Sequence, residues 1–122
     1  MTPTGPFSGP AAKINTATVG INTVVTIKES LIYKSCEDLE KVYNQLCREG
    51  KNRIVLDFRA VPFLDSQALE LLCAMHESLG NSGGILRIFG LNATCRDILA
   101  ATRLINLFHV YGEMSEALRG DV

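Results

Sequence analysis

The run Arg53-Ile-Val-Leu-Asp-Phe-Arg-Ala-Val-Pro-Phe-Leu-Asp-Ser-Gln-Ala-Leu69 decides how this chain is read. Its first part, through Phe58, is a short apolar segment interrupted only by Asp57, which predicts a central strand. Pro62 has no N–H to give to a ladder, so Arg59 to Asp65 is expected to be a connecting loop. A helix is predicted to start near Ser66 and to carry Leu69, Leu72, Cys73, His76 and Leu79 on one face. Strand, loop and helix in succession are the building unit of an α/β protein.

The flanks repeat the alternation. Downstream, Gly80, Gly83 and Gly84 are expected to end that helix, and Ile85-Leu-Arg-Ile-Phe89 reads as the next strand. Asn92 suits the cap of a third helix running to about Thr102, with Ile98, Leu99 and Thr102 inward. A brief strand near Phe108 to Tyr111 and a last helix with Met114, Ala117 and Leu118 follow. Upstream, Lys13 to Thr18 and Ile21 to Lys28 read as strands, with Gly20 and Asn22 allowing a tight turn near their junction. Ser35 and Asp38 form a plausible capping pair for a first helix. That helix carries Leu39, Val42, Tyr43, Leu46 and Cys47 as one stripe and stops at Gly50. The order β-β-α-β-α-β-α-β-α predicts an α/β fold, with one mixed, largely parallel sheet covered by about four helices.

Composition narrows the partners. The chain has 122 residues, 47% apolar and 20% charged, with 12 basic against 13 acidic side chains. That length fits one domain, read as residues 12–120 after a proline-rich leader, residues 1–11, expected to be disordered. A near-neutral balance without a basic stripe argues against nucleic acid as a partner. The longest apolar run, Leu71 to Met75, falls far short of the ~20 residues a spanning helix needs, so direct membrane insertion is not expected. The leader lacks the cationic start and apolar stretch of a secretory signal. Cys36, Cys47, Cys73 and Cys95 show no C-x-x-C and no histidine at ligand spacing, so no metal site or disulfide framework is expected. A reduced, cytoplasmic protein fits this cysteine usage.

The chemistry concentrates at Asp65-Ser66. A hydroxyl where a helix begins has free backbone N–H donors behind it and the positive end of the helix dipole. A phosphate there adds a charge of about −1.5 to −2, which those donors tolerate within the fold. The same group would spoil an apolar docking surface by desolvation and by repulsion from Asp65. By residue type alone, the plainer reading of Ser66 is a simple helix N-cap.

The stretch from Ile54 to Leu69 resembles the signature of the STAS domain family, whose best-known soluble members are bacterial anti-sigma factor antagonists. The resemblance continues through Gly83-Gly-Ile-Leu-Arg-Ile-Phe-Gly90, Ile98-Leu-Ala-Ala-Thr-Arg-Leu104 and Leu107-Phe108 to Glu113-Met-Ser-Glu-Ala-Leu118. It implies that Ser66 is a phosphoacceptor, with Asp65 its acidic neighbour and Asp57 the polar residue ending the preceding strand. It also implies the partners: an anti-sigma factor with a histidine-kinase-like ATPase fold that phosphorylates the serine, and a PP2C-type phosphatase that reverses it. The unphosphorylated form would bind the anti-sigma factor and free the sigma factor. Val61, Pro62, Phe63, Leu64, Gln67, Leu69 and Glu70 are then the expected docking surface. Four positions depart from the family pattern: Gln67 and Ala68 replace Ser or Thr and then Gly, while Glu29 and Ile32 replace the Gly and Asp of a Gly-x-Leu-Asp sequence.

Other residues read as structural. Cys36 in a first helical turn has a thiol whose pKa a dipole can lower, which admits a redox role, but a small residue near a cap is the plainer reading. Cys47 and Cys73 read as core, His76 and His109 as structural, and Arg87 as a strand residue facing solvent. The expectation is a binding module rather than an enzyme, without cofactor. A non-phosphorylated STAS scaffold subunit, in a stress-signalling assembly or an ABC-type lipid transporter complex, is the alternative. A hydrolase with Ser66 as nucleophile has neither an assigned base nor an oxyanion hole.

Overall fold

Ile54, Leu56 and Phe58 point to one side of a sheet and Val55 and Asp57 to the other, and all five are buried. A strand covered on both faces is the reason this segment is apolar almost without alternation. It forms β3 (Arg53–Asp57) in a computed structural model that describes residues 13–119. The expected leader, residues 1–11, lies outside the described residues.

The elements follow in the predicted order: β1 (Ile14–Val19), β2 (Asn22–Ile27), α1 (Tyr33–Arg48), β3, α2 (Ser66–Asn81), β4 (Ile85–Phe89), α3 (Ala93–Ala101), β5 (His109–Tyr111) and α4 (Met114–Arg119). The sheet runs β1-β2-β3-β4-β5. β1 and β2 pair antiparallel through the tight turn at Gly20, and β2, β3, β4 and β5 pair parallel. On one face the main core joins Val25, Ile27, Ile54, Leu56 and Leu86 of the strands to Leu39, Val42 and Leu46 of α1. The same core takes in Ala68, Leu72, Met75 and Leu79 of α2 and Cys95 and Leu99 of α3. On the other face α4 sets Ala117 against Val24, Val55 and Phe89. Each fully buried aliphatic side chain of the main core stabilises the fold by roughly 1.5–3 kcal/mol.

Several local expectations need correction. α1 starts three residues earlier than a Ser35 cap allows, with Ile32 at the cap position, so Ser35 lies in the first turn and Asp38 is exposed. The buried ridge of α2 is Ala68, Leu72, Met75 and Leu79, while Leu69, Cys73 and His76 are partly exposed. Two adjacent ridges of this helix are apolar, and spacing alone does not say which one meets the sheet. Gly80 lies inside α2 rather than ending it. In α3 the inward residues are Cys95 and Leu99, whereas Thr102 is exposed and its hydroxyl donates to the Ile98 carbonyl at 2.8 Å. Cys47 is exposed and Cys73 half-buried. Arg87, expected at the solvent, is only 6% exposed because α4 and its flanks cover that face.

Candidate functional site

The loops after β2 and β3 are joined before either helix begins. The Leu31 N–H donates to the Phe63 carbonyl at 2.9 Å, and the Asp65 N–H donates to the Leu31 carbonyl at 3.1 Å. Leu31 and Leu64 form an isolated parallel bridge, and both side chains are buried in the main core. The parallel pairing of β2 with β3 is thereby resumed for one residue past a gap, which brings the starts of α1 and α2 side by side.

Asp65 then serves both helices. Its Oδ1 accepts the Ala68 N–H at 2.9 Å, which makes Asp65 the N-cap of α2. Its Oδ2 accepts the Tyr33 N–H at 2.8 Å, at the first residue of α1. Ile32, at the cap position of α1, has no side-chain acceptor of its own. Ser35 adds to the repair: its Oγ accepts the Ile32 N–H at 2.9 Å and donates to the Ser30 carbonyl at 2.7 Å.

With Asp65 capping, Ser66 is not the cap but the first helical residue. It is exposed, and its hydroxyl has no hydrogen-bond partner among the described residues. Residues at the first two helical positions have no intrahelical acceptor for their N–H groups, so those of Ser66 and Gln67 point toward the same exposed end.

Asp57 is occupied elsewhere. Its Oδ1 accepts the Arg59 N–H and Nε–H, both at 3.0 Å, and its Oδ2 takes the Arg59 Nη2 at 2.8 Å. The Thr26 hydroxyl adds a longer contact at 3.5 Å. Burial acts to raise the Asp57 pKa, but the Arg59 hydrogen bonds and charge, with Thr26, outweigh it and hold the carboxyl below its ordinary value. The Arg59 guanidinium also lies 5.2 Å from the Phe89 ring centroid. Gly90 has φ +80°, and a Cβ there would collide with the Arg59 side chain. Asp57 thus fixes the start of the loop that leads to Ser66.

The expected docking residues divide into two sets. Pro62, Phe63, Gln67 and Glu70 are exposed, Phe63 by 46%, and Leu69 is half-buried. Val61 and Leu64 are each 1% exposed, so they support the loop from beneath and do not present a surface, a correction to the expected set. The Asn92 side chain ties the loop to α3 through the Pro62 carbonyl at 3.3 Å, while its Oδ1 caps α3 by accepting the Cys95 N–H at 2.7 Å.

A groove of about 270 Å³ lies beside these residues, between the first halves of α1 and α2. Tyr33, Glu37 and Glu40 line one wall, and Gln67, Glu70 and Leu71 the other. Sequence reasoning missed the α1 wall, although Tyr33, Glu37 and Glu40 follow one helical ridge. Cys36 also borders the groove, and burial together with the Asp65 and Glu40 charges pushes its thiol up to about 11. That is opposite in direction to an activated thiol. Among the described residues, no group of three or more His, Cys, Asp or Glu side chains is arranged to hold a metal ion. No helix of the described residues is long and apolar enough to cross a membrane.

The STAS domain model matches residues 12–117. The chain belongs to the STAS domain family. A Thermotoga maritima protein described as a candidate anti-sigma factor antagonist is 27% identical over 77 residues, 63% of this chain and 68% of its own length. The crystal structure of a Thermotoga maritima protein of the same description has a TM-score of 0.83 at 22% identity, over 88% of this chain and 92% of that one. The Bacillus cell fate determinant SpoIIAA in its phosphorylated form superposes with a TM-score of 0.68 at 16% identity, over 88% and 99% of the two chains. These structural likenesses show a shared STAS fold. Within it, the local strand–loop–Asp-Ser element was legible from sequence, whereas the tie from Asp65 to α1 was not.

Proposed function

We propose that this STAS domain is an anti-sigma factor antagonist acting in the cytoplasm and switched at Ser66. The unmodified protein docks on an anti-sigma factor with a histidine-kinase-like ATPase fold and so frees the sigma factor. Phosphate on Ser66 prevents docking, and a PP2C-type phosphatase restores it. The observation that carries this reading is the exposed, unpartnered Ser66 hydroxyl at the first position of a helix already capped by Asp65. A phosphate there is accepted by the free N–H groups behind it, yet it faces outward among Pro62, Phe63, Gln67 and Glu70. The Thermotoga maritima relative's description and the fold likeness to SpoIIAA in its phosphorylated form support the reading.

The test is to incubate the protein with the histidine-kinase-like serine kinases of its own genome and ATP, then map phosphate by mass spectrometry. Phosphate is expected on Ser66, and Ser66→Asp is expected to lose partner affinity at least a hundredfold, about 2.7 kcal/mol, while Ser66→Ala binds like the wild type. A partner that binds wild type and Ser66→Asp alike would instead support a non-phosphorylated scaffold subunit. Ile32, in place of the acid of the family pattern beside Asp65, is the observation that favours this second reading.

A further inference from the structure

Arg87 presents a buried charge that the surface around Ser66 does not use. It is 6% exposed, and its Nε and Nη1 have no hydrogen-bond partner among the described residues. Arg53 on the neighbouring strand is half-buried, and its buried Nε is likewise unpartnered among the described residues. The parallel register pairs Arg53 with Ile85 and Val55 with Arg87, so both arginines rise from the α4 side of the sheet, one diagonal step apart on β3 and β4. Ion pairs among the described residues join Arg59 to Asp57 and Lys51 to Glu49, and neither Arg53 nor Arg87 takes part.

An uncompensated guanidinium in the interior is strongly unfavourable, and water hydrates such a charge without neutralising it. Arg53, half-buried on the adjacent strand, adds a like charge, so an anion beside the two would relieve both their repulsion and the desolvation of Arg87. His109 of β5 is the register partner of Arg87 at the sheet edge, and its ring centroid lies 6.2 Å from that of His76 of α2. Burial, then the charges of His76 and Arg87, pull the His109 pKa down. It therefore adds a neutral ring able to donate rather than a third competing cation.

We propose that Arg53 and Arg87, with His109 at the edge, form a binding site for a small phosphate-type oxyanion on the α4 side of the sheet. Guanidinium groups match the geometry of such an oxyanion better than that of a halide, and the burial of Arg87 restricts the site to a small ion or a single phosphate group. This site is separate from Ser66 and stands whether or not Ser66 is phosphorylated.

The experiment titrates inorganic phosphate into the isotope-labelled full chain at constant ionic strength set with sodium chloride, followed by amide and arginine Nε–H resonances. Saturable shifts are expected at Arg53, Val55, Arg87 and His109, with affinity weakened at least tenfold in Arg53→Met and in Arg87→Met. Arg53 is half-buried, so Arg53→Met decides the matter should Arg87→Met fail to fold. Shifts that do not saturate, that centre on the start of α2, or that persist unchanged in Arg53→Met would overturn the proposal.

Discussion

The Asp65 carboxylate receives the Tyr33 N–H at 2.8 Å, so the residue capping α2 also anchors the start of α1, 32 residues earlier in the chain. The other oxygen holds the Ala68 N–H at 2.9 Å, so one side chain sets the relative position of two helix starts and of the groove between them. Losing an N-cap acceptor typically costs about 0.5–2 kcal/mol. Asp65→Ala loses two such acceptor positions and is expected to cost the upper part of that range in urea unfolding. Amide exchange should quicken at both Tyr33 and Ala68. Acceleration at Ala68 alone would show that the α1 contact carries no stability.

Ser66→Asp is expected to leave the fold intact. A negative charge in a first helical turn is favoured by about 0.3–1 kcal/mol, and repulsion from Asp65 works against it. The midpoint of thermal unfolding should therefore stay within a few degrees of the wild type, as should that of Ser66→Ala. A large drop for Ser66→Asp would mean that any loss of partner binding reports unfolding rather than a switch.

Asp57 supplies a pH dependence of definite sign. Its folded pKa lies below the ordinary value of 3.8, so its contribution is complete above that value and is lost as pH falls through the folded one. Urea unfolding measured from pH 7 down to 3 should show wild-type stability falling more steeply below about pH 4 than that of Asp57→Asn. Parallel curves would remove Asp57 from the acid response. Arg59→Ala strands a buried carboxylate and should cost roughly 1–3 kcal/mol at neutral pH.

Thiol reactivity should follow exposure and not helix position. Cys47 is exposed, whereas Cys36 is buried with its thiol pushed up to about 11. Iodoacetamide at pH 8 followed by peptide mapping should label Cys47 first and leave Cys36 and Cys95 protected until the chain unfolds. Early labelling of Cys36 would reopen a redox role there.

Much of the architecture was legible because its signals are local. The apolar run through β3, the proline in the following loop and Asn92 at the start of α3 each act within a few residues. What escaped depends on distance. Ser35 looks like a cap until Asp65 takes the Tyr33 N–H across the sheet end. Arg87 alternates with apolar neighbours as a solvent-facing residue does, and only α4, arriving at the end of the chain, covers it. In α2 two neighbouring ridges are both apolar, and packing on the sheet selected the one through Leu72 and Met75.

Because the carboxylate at 65 does the capping, the alcohol one position later is spare. Chemistry performed on it and then undone need not disturb any bond the chain relies on to stay folded. Under the switch proposed at Ser66, the protein would be written on, erased and written on again through its lifetime, with each cycle read by its neighbours and ignored by its own interior.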